Sequence, residues 1–184
     1  MTLSSDQHYG RRIAADTVRI ERLLPGPIER VWAYLTEADK RRLWLASGEM
    51  ALYLGGAVEL IFDHAQLSDN DDPVPEKHRA YSGETRNHGR ITAIDPPYLL
   101  SYTWSEHREL PSEVCFQLSS EGAQVRLVVT HRRLVGRDEF ISVASGWHTH
   151  LDILIARLSG QAPDGFWRAH TRLEAEYEAR LPLD

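Results

Sequence analysis

The sequence predicts an α+β fold in which a sheet of about six strands folds around one long helix near the C-terminus. Two observations carry this. Gly146-Trp147 opens an apolar stripe of Trp147, Leu151, Leu154, Ile155 and Leu158, and over residues 140–158 the apolar positions Phe140, Val143, Ala144, Trp147, Leu151, Leu154 and Leu158 recur at three- and four-residue steps, the period of one helix face. The segments before it alternate apolar and polar residues, the period of a half-buried strand. A long amphipathic helix after a run of strands needs a sheet to cover its stripe, and a sheet folded around one such helix encloses a cavity. Function therefore points to holding something.

The elements follow in order. Residues 1–16 mix Ser, Asp, Gln, His and Arg and read as a poorly ordered leader. Residues 17–24 set Val18 and Ile20 against Arg19 and Glu21, a first strand that Pro25-Gly26-Pro27 ends. Pro27 suits the first turn of a helix whose Ile28, Val31, Trp32 and Leu35 form one face. A second short helix is expected over 37–43. Residues 50–54 and 57–62 flank Gly55-Gly56, a pair that can supply the positive φ angles of a tight hairpin, with Val58, Leu60 and Phe62 on one face. Residues 64–82, with Asp69, Asn70, Asp71, Asp72, Pro73 and Pro75, read as a long loop that buries little, moves, and borders the cavity entrance. Strands resume over 83–94 and turn at Asp95-Pro96-Pro97. They continue through Leu100, Tyr102 and Trp104, then Val114, Phe116 and Leu118, and after Glu121-Gly122 through Val125, Leu127, Val129 and His131. Residues 164–181 form a terminal helix with Phe166, His170, Leu173 and Tyr177 on one side, which must pack on something or pair between chains. The expected organisation is a leader (1–16), a main domain (17–160) and a helical extension (161–184).

A chain of 184 residues with 42% hydrophobic content suits one soluble domain with a real core. A net charge of -6 and a pI near 5.8 argue against a phosphate-backbone partner, so no nucleic acid is expected. Cys115, the only cysteine, excludes an internal disulfide and a cysteine-based zinc finger and fits a reducing compartment. No apolar run suits a secretory signal or a membrane span, so a cytoplasmic protein without membrane insertion is expected.

Several short motifs then carry a resemblance through their order. They are the strand running into Pro27-Ile28-Glu29-Arg30-Val31-Trp32, then Leu43-Trp44, then Gly55-Gly56 before an alternating strand. Gly89-Arg90-Ile91 follows with Asp95-Pro96-Pro97, then residues 100–104, residues 125–131, and Gly146-Trp147 with Leu151 and Leu154. Together they resemble the START-like, or SRPBCC helix-grip, superfamily, in the branch similar to the activator of Hsp90 ATPase. The resemblance covers residues 17–158. Two departures are the acidic loop at 64–82 and the residues beyond Gly160. The resemblance implies a curved antiparallel sheet gripping the long helix, with a cavity between them for an apolar or amphipathic molecule. Such folds serve lipid carriers, hormone receptors, polyketide cyclases and co-chaperone domains, so the resemblance implies a fold and not a reaction.

Strand residues at even spacing and the inner helix stripe must look into one space, which makes Trp44, Phe62, Tyr102, Trp104, Phe116, His131, Trp147 and Leu151 the candidate ligand contacts. Most large apolar side chains are buried simply for packing, and His131, inward on an apolar strand face, can equally be a satisfied core histidine. Other motifs lead to bland readings. His148 and His150 are two apart on a helix and cannot chelate one ion together, while His148 and Asp152, four apart, can share a face. Asp69-Asn70-Asp71-Asp72 lacks the glycine and glutamate of a calcium loop. Cys115 faces away from Val114 and Phe116 with no histidine partner. Neither a metal nor a cofactor is expected. The expected function is noncatalytic binding of a small hydrophobic or amphipathic ligand. One alternative is an enzyme of the polyketide cyclase or dehydratase type, drawing its acid or base from His131, Tyr102, Glu84, Arg90 or Glu113. The other is a protein-interaction module. A homodimer and, on the resemblance alone, a chaperone partner stay open.

Overall fold

The computed structural model describes residues 8–70 and 72–181. Its elements are strand β1 (Arg11–Ala14), β2 (Thr17–Pro25), helix α1 (Ile28–Thr36), a single turn α2 (Ala38–Arg41), and β3 (Ala57–Phe62). After them come β4 (Thr85–Asp95), β5 (Leu99–Trp104), β6 (Ser112–Glu121), β7 (Gln124–Arg132), the long helix α3 (Gly136–Leu158) and α4 (Phe166–Arg180). The strands form one antiparallel sheet ordered β1-β2-β7-β6-β5-β4-β3. The helix-grip architecture expected from the sequence is the one found. Alternation fixes which face is covered: Val18, Ile20, Leu24, Val114, Phe116, Leu118, Val125, Leu127 and Val129 are all buried against the helices.

The alternation has one charged exception, Arg22, whose side chain lies on the covered face and is fully buried. It donates to the carbonyl oxygens of His8 and Glu21 and to Asp152 Oδ1 at 3.2 Å. A buried guanidinium needs such partners to offset the hydration it has lost. His148, one turn before Asp152 on α3, lies 3.5 Å from the same carboxylate, as their four-residue spacing predicts.

Three expectations are corrected. The leader is partly a strand, because Arg11–Ala14 pairs with β2 through Arg11↔Arg19 and Arg12↔Val18; all four of its residues are exposed and two are arginines, as suits a sheet edge, so no apolar pattern announced it. Residues 1–7 lie outside the described residues. Residues 50–54 do not form a strand: Met50 makes an isolated bridge to Val58, and Tyr53 and Leu54 are exposed. A tight loop closes here instead, with Gly55 at φ +81 and Gly56 so near the chain that a Cβ would sit 2.0 Å from the Ala51 carbonyl oxygen. Residues 64–82 bury little, as expected, since Leu67 is the only buried residue among those described there, but the segment is not irregular throughout. It contains two 3-10 turns (His64–Gln66 and Glu76–Tyr81), places Leu67 in the main core and packs Val74 against it.

The terminal helix is the reason for that last difference. α4 packs on α3 within the same chain and buries Phe166, Trp167, His170, Leu173, Glu174 and Tyr177. α3 is consequently buried on both flanks, toward the sheet through Trp147, Leu151 and Leu154 and toward α4 and the first strands through residues such as Ala144 and His148. The loop in turn lies along α4. Asp72 accepts a hydrogen bond from the Arg168 backbone N–H in the first turn of α4 at 3.3 Å, and Lys77 and His78 both reach Glu174. A carboxylate at that position favours the helix through its exposed N–H groups and its dipole. Among the described residues, no helix is long and apolar enough to cross a membrane.

Candidate functional site

A pocket of about 340 Å³ lies where the ends of β3 and β5, the 64–82 segment, α3 and α4 meet. Its aromatic walls are Phe62 and Trp104 from the sheet, Tyr81 from the second 3-10 turn, Trp147 from α3, and Phe166 and Trp167 from α4. The rings hold one another edge-to-face: Trp147 lies 5.5 Å from Trp104 and 5.4 Å from Phe116, and Phe166 lies 4.9 Å from Trp167. Such contacts add to burial and fix the walls. Gly146 belongs to the wall as well, and a Cβ built there meets nothing within 4 Å.

The polar character comes from imidazole. Six of the chain's nine histidines line the pocket: His64, His78, His107, His131, His150 and His170. Burial drives the pKa of His131 and His150 down to about 3 and that of His64 and His170 down to about 4. At neutral pH these four rings are uncharged. Among the described residues, no carboxylate lines the pocket, and its one cationic side chain, Arg86, is exposed and paired with Glu59 and Glu84.

Hydrogen bonds assign two of the tautomers. The Trp147 indole N–H, which can only donate, gives its proton to His131 Nδ1 at 3.0 Å, so His131 carries its own proton on Nε2 and bonds Ser112 Oγ at 2.9 Å. Both nitrogens of His131 are therefore used inside the protein. His150 Nδ1 lies 2.8 Å from the Trp44 carbonyl oxygen, which can only accept, so Nδ1 carries the proton and Nε2 remains an acceptor. His64 Nδ1 and His170 Nδ1 are buried without a hydrogen-bond partner among the described residues.

Of the eight contacts expected from sequence, Phe62, Trp104, His131 and Trp147 line the pocket. Trp44, Tyr102, Phe116 and Leu151 do not. These four lie deeper, fully buried where the sheet closes on α3; the Trp44 indole is spent on the Tyr34 carbonyl oxygen at 2.8 Å, and burial pushes the Tyr102 hydroxyl far up. Apart from His131, the acid-base candidates also fall outside. Glu84 and Arg90 are exposed, and Glu113 is paired with Arg132 and Arg133. Cys115 is half-buried away from the pocket, as expected, and burial raises its thiol pKa. Sequence reasoning passed over His64, His78 and His107, weighed His150 only as a metal ligand beside His148, and placed His170 on a buried helix face without joining it to the site. The signal for His150 was its spacing, three residues after Trp147 on one helix.

The sequence pattern of the Activator of Hsp90 ATPase homolog 1-like protein family matches residues 25–159. No curated protein matches the chain. Among solved structures, the protein encoded by BPP1335 of Bordetella parapertussis is 44% identical, over 100% of this chain and 97% of that one, with a TM-score of 0.79. CalU16 of Micromonospora echinospora is 22% identical over 93% of each chain, with a TM-score of 0.65. A protein of Rhodobacter sphaeroides is 16% identical, covering 82% of this chain and 97% of its own, with a TM-score of 0.60. The chain belongs to the Activator of Hsp90 ATPase homolog 1-like family, built on the SRPBCC helix-grip fold.

Proposed function

We propose that the pocket binds a small amphipathic molecule with a flat unsaturated body and does not catalyse its conversion. One observation carries the reading: six aromatic side chains line a space whose buried polar groups are neutral imidazoles. Flat apolar surface suits the rings, and Nε2 of His150 offers an acceptor to a hydroxyl or amide. A volume near 340 Å³ stands at the lower end of small-molecule pockets, enough for a compact ligand of one or two rings. Proton transfer is poorly served. A general base works best with a pKa near the operating pH, and rings at about 3 to 4 are weak bases that are almost never protonated at pH 7. His131, the best acid-base candidate in the sequence, has no nitrogen to spare.

Fluorescence titration with 2-naphthol tests this, because Trp104, Trp147 and Trp167 form the wall and should be quenched. Gly146→Leu directs a side chain into open space at the wall, so it should abolish quenching while the thermal midpoint holds. Absence of saturable quenching in the unaltered protein, or quenching unchanged by Gly146→Leu, overturns the reading.

A further inference from the structure

We infer that His78, His170 and Glu174 form a binding site for a zinc-like divalent cation at the joint between the 64–82 segment and α4. His170 and Glu174 stand four apart on one face of α4, the spacing at which two side chains reach one ion. His78 comes to them from the second 3-10 turn, with Nε2 3.2 Å from Glu174 Oε2. One ligand atom from each of the three lies within 4.8 Å of the others. Zinc bound at ~2.0–2.2 Å in a tetrahedron sets its ligand atoms about 3.3 Å apart. The His78–Glu174 pair already meets that spacing, and a small side-chain adjustment brings in His170.

The surroundings favour an ion over a purely structural cluster. His170 and Glu174 are both buried, and His170 keeps a buried ring nitrogen, Nδ1, without a hydrogen-bond partner among the described residues. Leaving such an atom unmatched costs about 1–3 kcal/mol. Two imidazoles and a carboxylate suit zinc, nickel or cobalt rather than calcium or magnesium, which take oxygen ligands. The set leaves a fourth coordination position, and since His78 and His170 also line the pocket, a donor atom of a pocket ligand is within its reach. Lys77 is the built-in competitor. Its ammonium lies 2.6 Å from Glu174 Oε2, but its side chain is 55% exposed and free to swing away. The ion would tie the segment over the pocket to α4, which makes the site distinct from the ligand-binding reading and testable without it.

Isothermal titration of Zn²⁺ into tag-free, metal-stripped full-length protein should show one tight site, and Co²⁺ should give the intense visible bands of a four-coordinate ion. His78→Gln and Glu174→Gln should each weaken Zn²⁺ by more than the 10- to 100-fold that losing an outer-shell partner costs. Lys77→Met should tighten it, because the competing charge is gone. That variant keeps the test sharp if either ligand variant folds poorly. No stoichiometric uptake by the unaltered protein overturns the site. So does uptake that His78→Gln and Glu174→Gln leave unchanged, or a Lys77→Met variant that binds no tighter.

Discussion

At the scale of single residues, the Trp147–His131 pair shows how one hydrogen bond decides a role. Trp147 fills the angle between Trp104 and Phe116, and its N–H fixes the tautomer of a fully buried imidazole. Trp147→Ala should cost roughly 3–5 kcal/mol, as for truncating a buried aromatic. Trp147→Phe keeps most of the ring but strands His131 Nδ1 without a donor, so chemical denaturation should still show a loss of about 1–3 kcal/mol. A Phe variant as stable as the unaltered protein would mean that the hydrogen bond matters little. Alternation along β7 told that His131 points inward, and this was readable from sequence. That both its nitrogens are occupied was not, because one partner lies across the sheet on β6 and the other comes from a helix. Leu151, a candidate ligand contact by its spacing, misses the pocket for the same kind of reason. Leu151 is fully buried beneath the pocket, whereas Gly146 stands at its wall.

At the scale of elements, periodicity found faces and could not find what covers them. The helical period placed Phe166, His170, Leu173 and Tyr177 on one covered side of α4, yet only the folded chain shows that α3 and the 64–82 segment are the cover. Acidic and proline-rich composition made that segment look solvated, and composition does not see Leu67 reaching the core or Arg157 holding the Leu67 carbonyl oxygen at 2.9 Å. Residues 50–54 erred the other way, since Leu52, Tyr53 and Leu54 project to solvent from a tight loop. The placement of α4 has a consequence for exchange experiments. Ending the chain after Gly160 removes the surface on which Asp72, Lys77 and His78 dock, so amides such as those of His78 and Ser82, now bonded within the second 3-10 turn, should lose protection. The exposed flank of α3 should also lower the denaturation midpoint markedly. A truncated chain with the same midpoint and the same exchange pattern would show that α4 is an appendage.

At the scale of the whole molecule, the histidines make the fold's stability depend on pH with a definite sign. His131, His148 and His150 are buried against or within α3, and burial first, then the charges of Arg108 and Arg133 at His131 and of Arg22 at His148, lowers each pKa to about 3. In the unfolded chain they return to about 6.5. Above that pH they are neutral in both states and cost nothing. As the pH falls from about 6.5 toward about 3, the unfolded chain takes up protons that the folded one refuses, and each ring removes about 1.4 kcal/mol of stability per pH unit. Three rings together approach about 4 kcal/mol per unit, which would exhaust a typical margin of ~5–15 kcal/mol near pH 4 to 5. Asp152, whose pKa burial raises, acts in the opposite direction and only where it takes up its proton. Urea denaturation should therefore give a nearly flat stability between pH 7 and 8 and a steep fall below 6.5. His150→Asn isolates one contribution, since its amide N–H can still donate to the Trp44 carbonyl oxygen but does not titrate. Its slope below pH 6 should be shallower than that of the unaltered protein by about 1.4 kcal/mol per pH unit. An unchanged slope would show that His150 titrates alike in the folded and the unfolded chain, so that burial does not lower its pKa and the ring is neutral only above about pH 6.5.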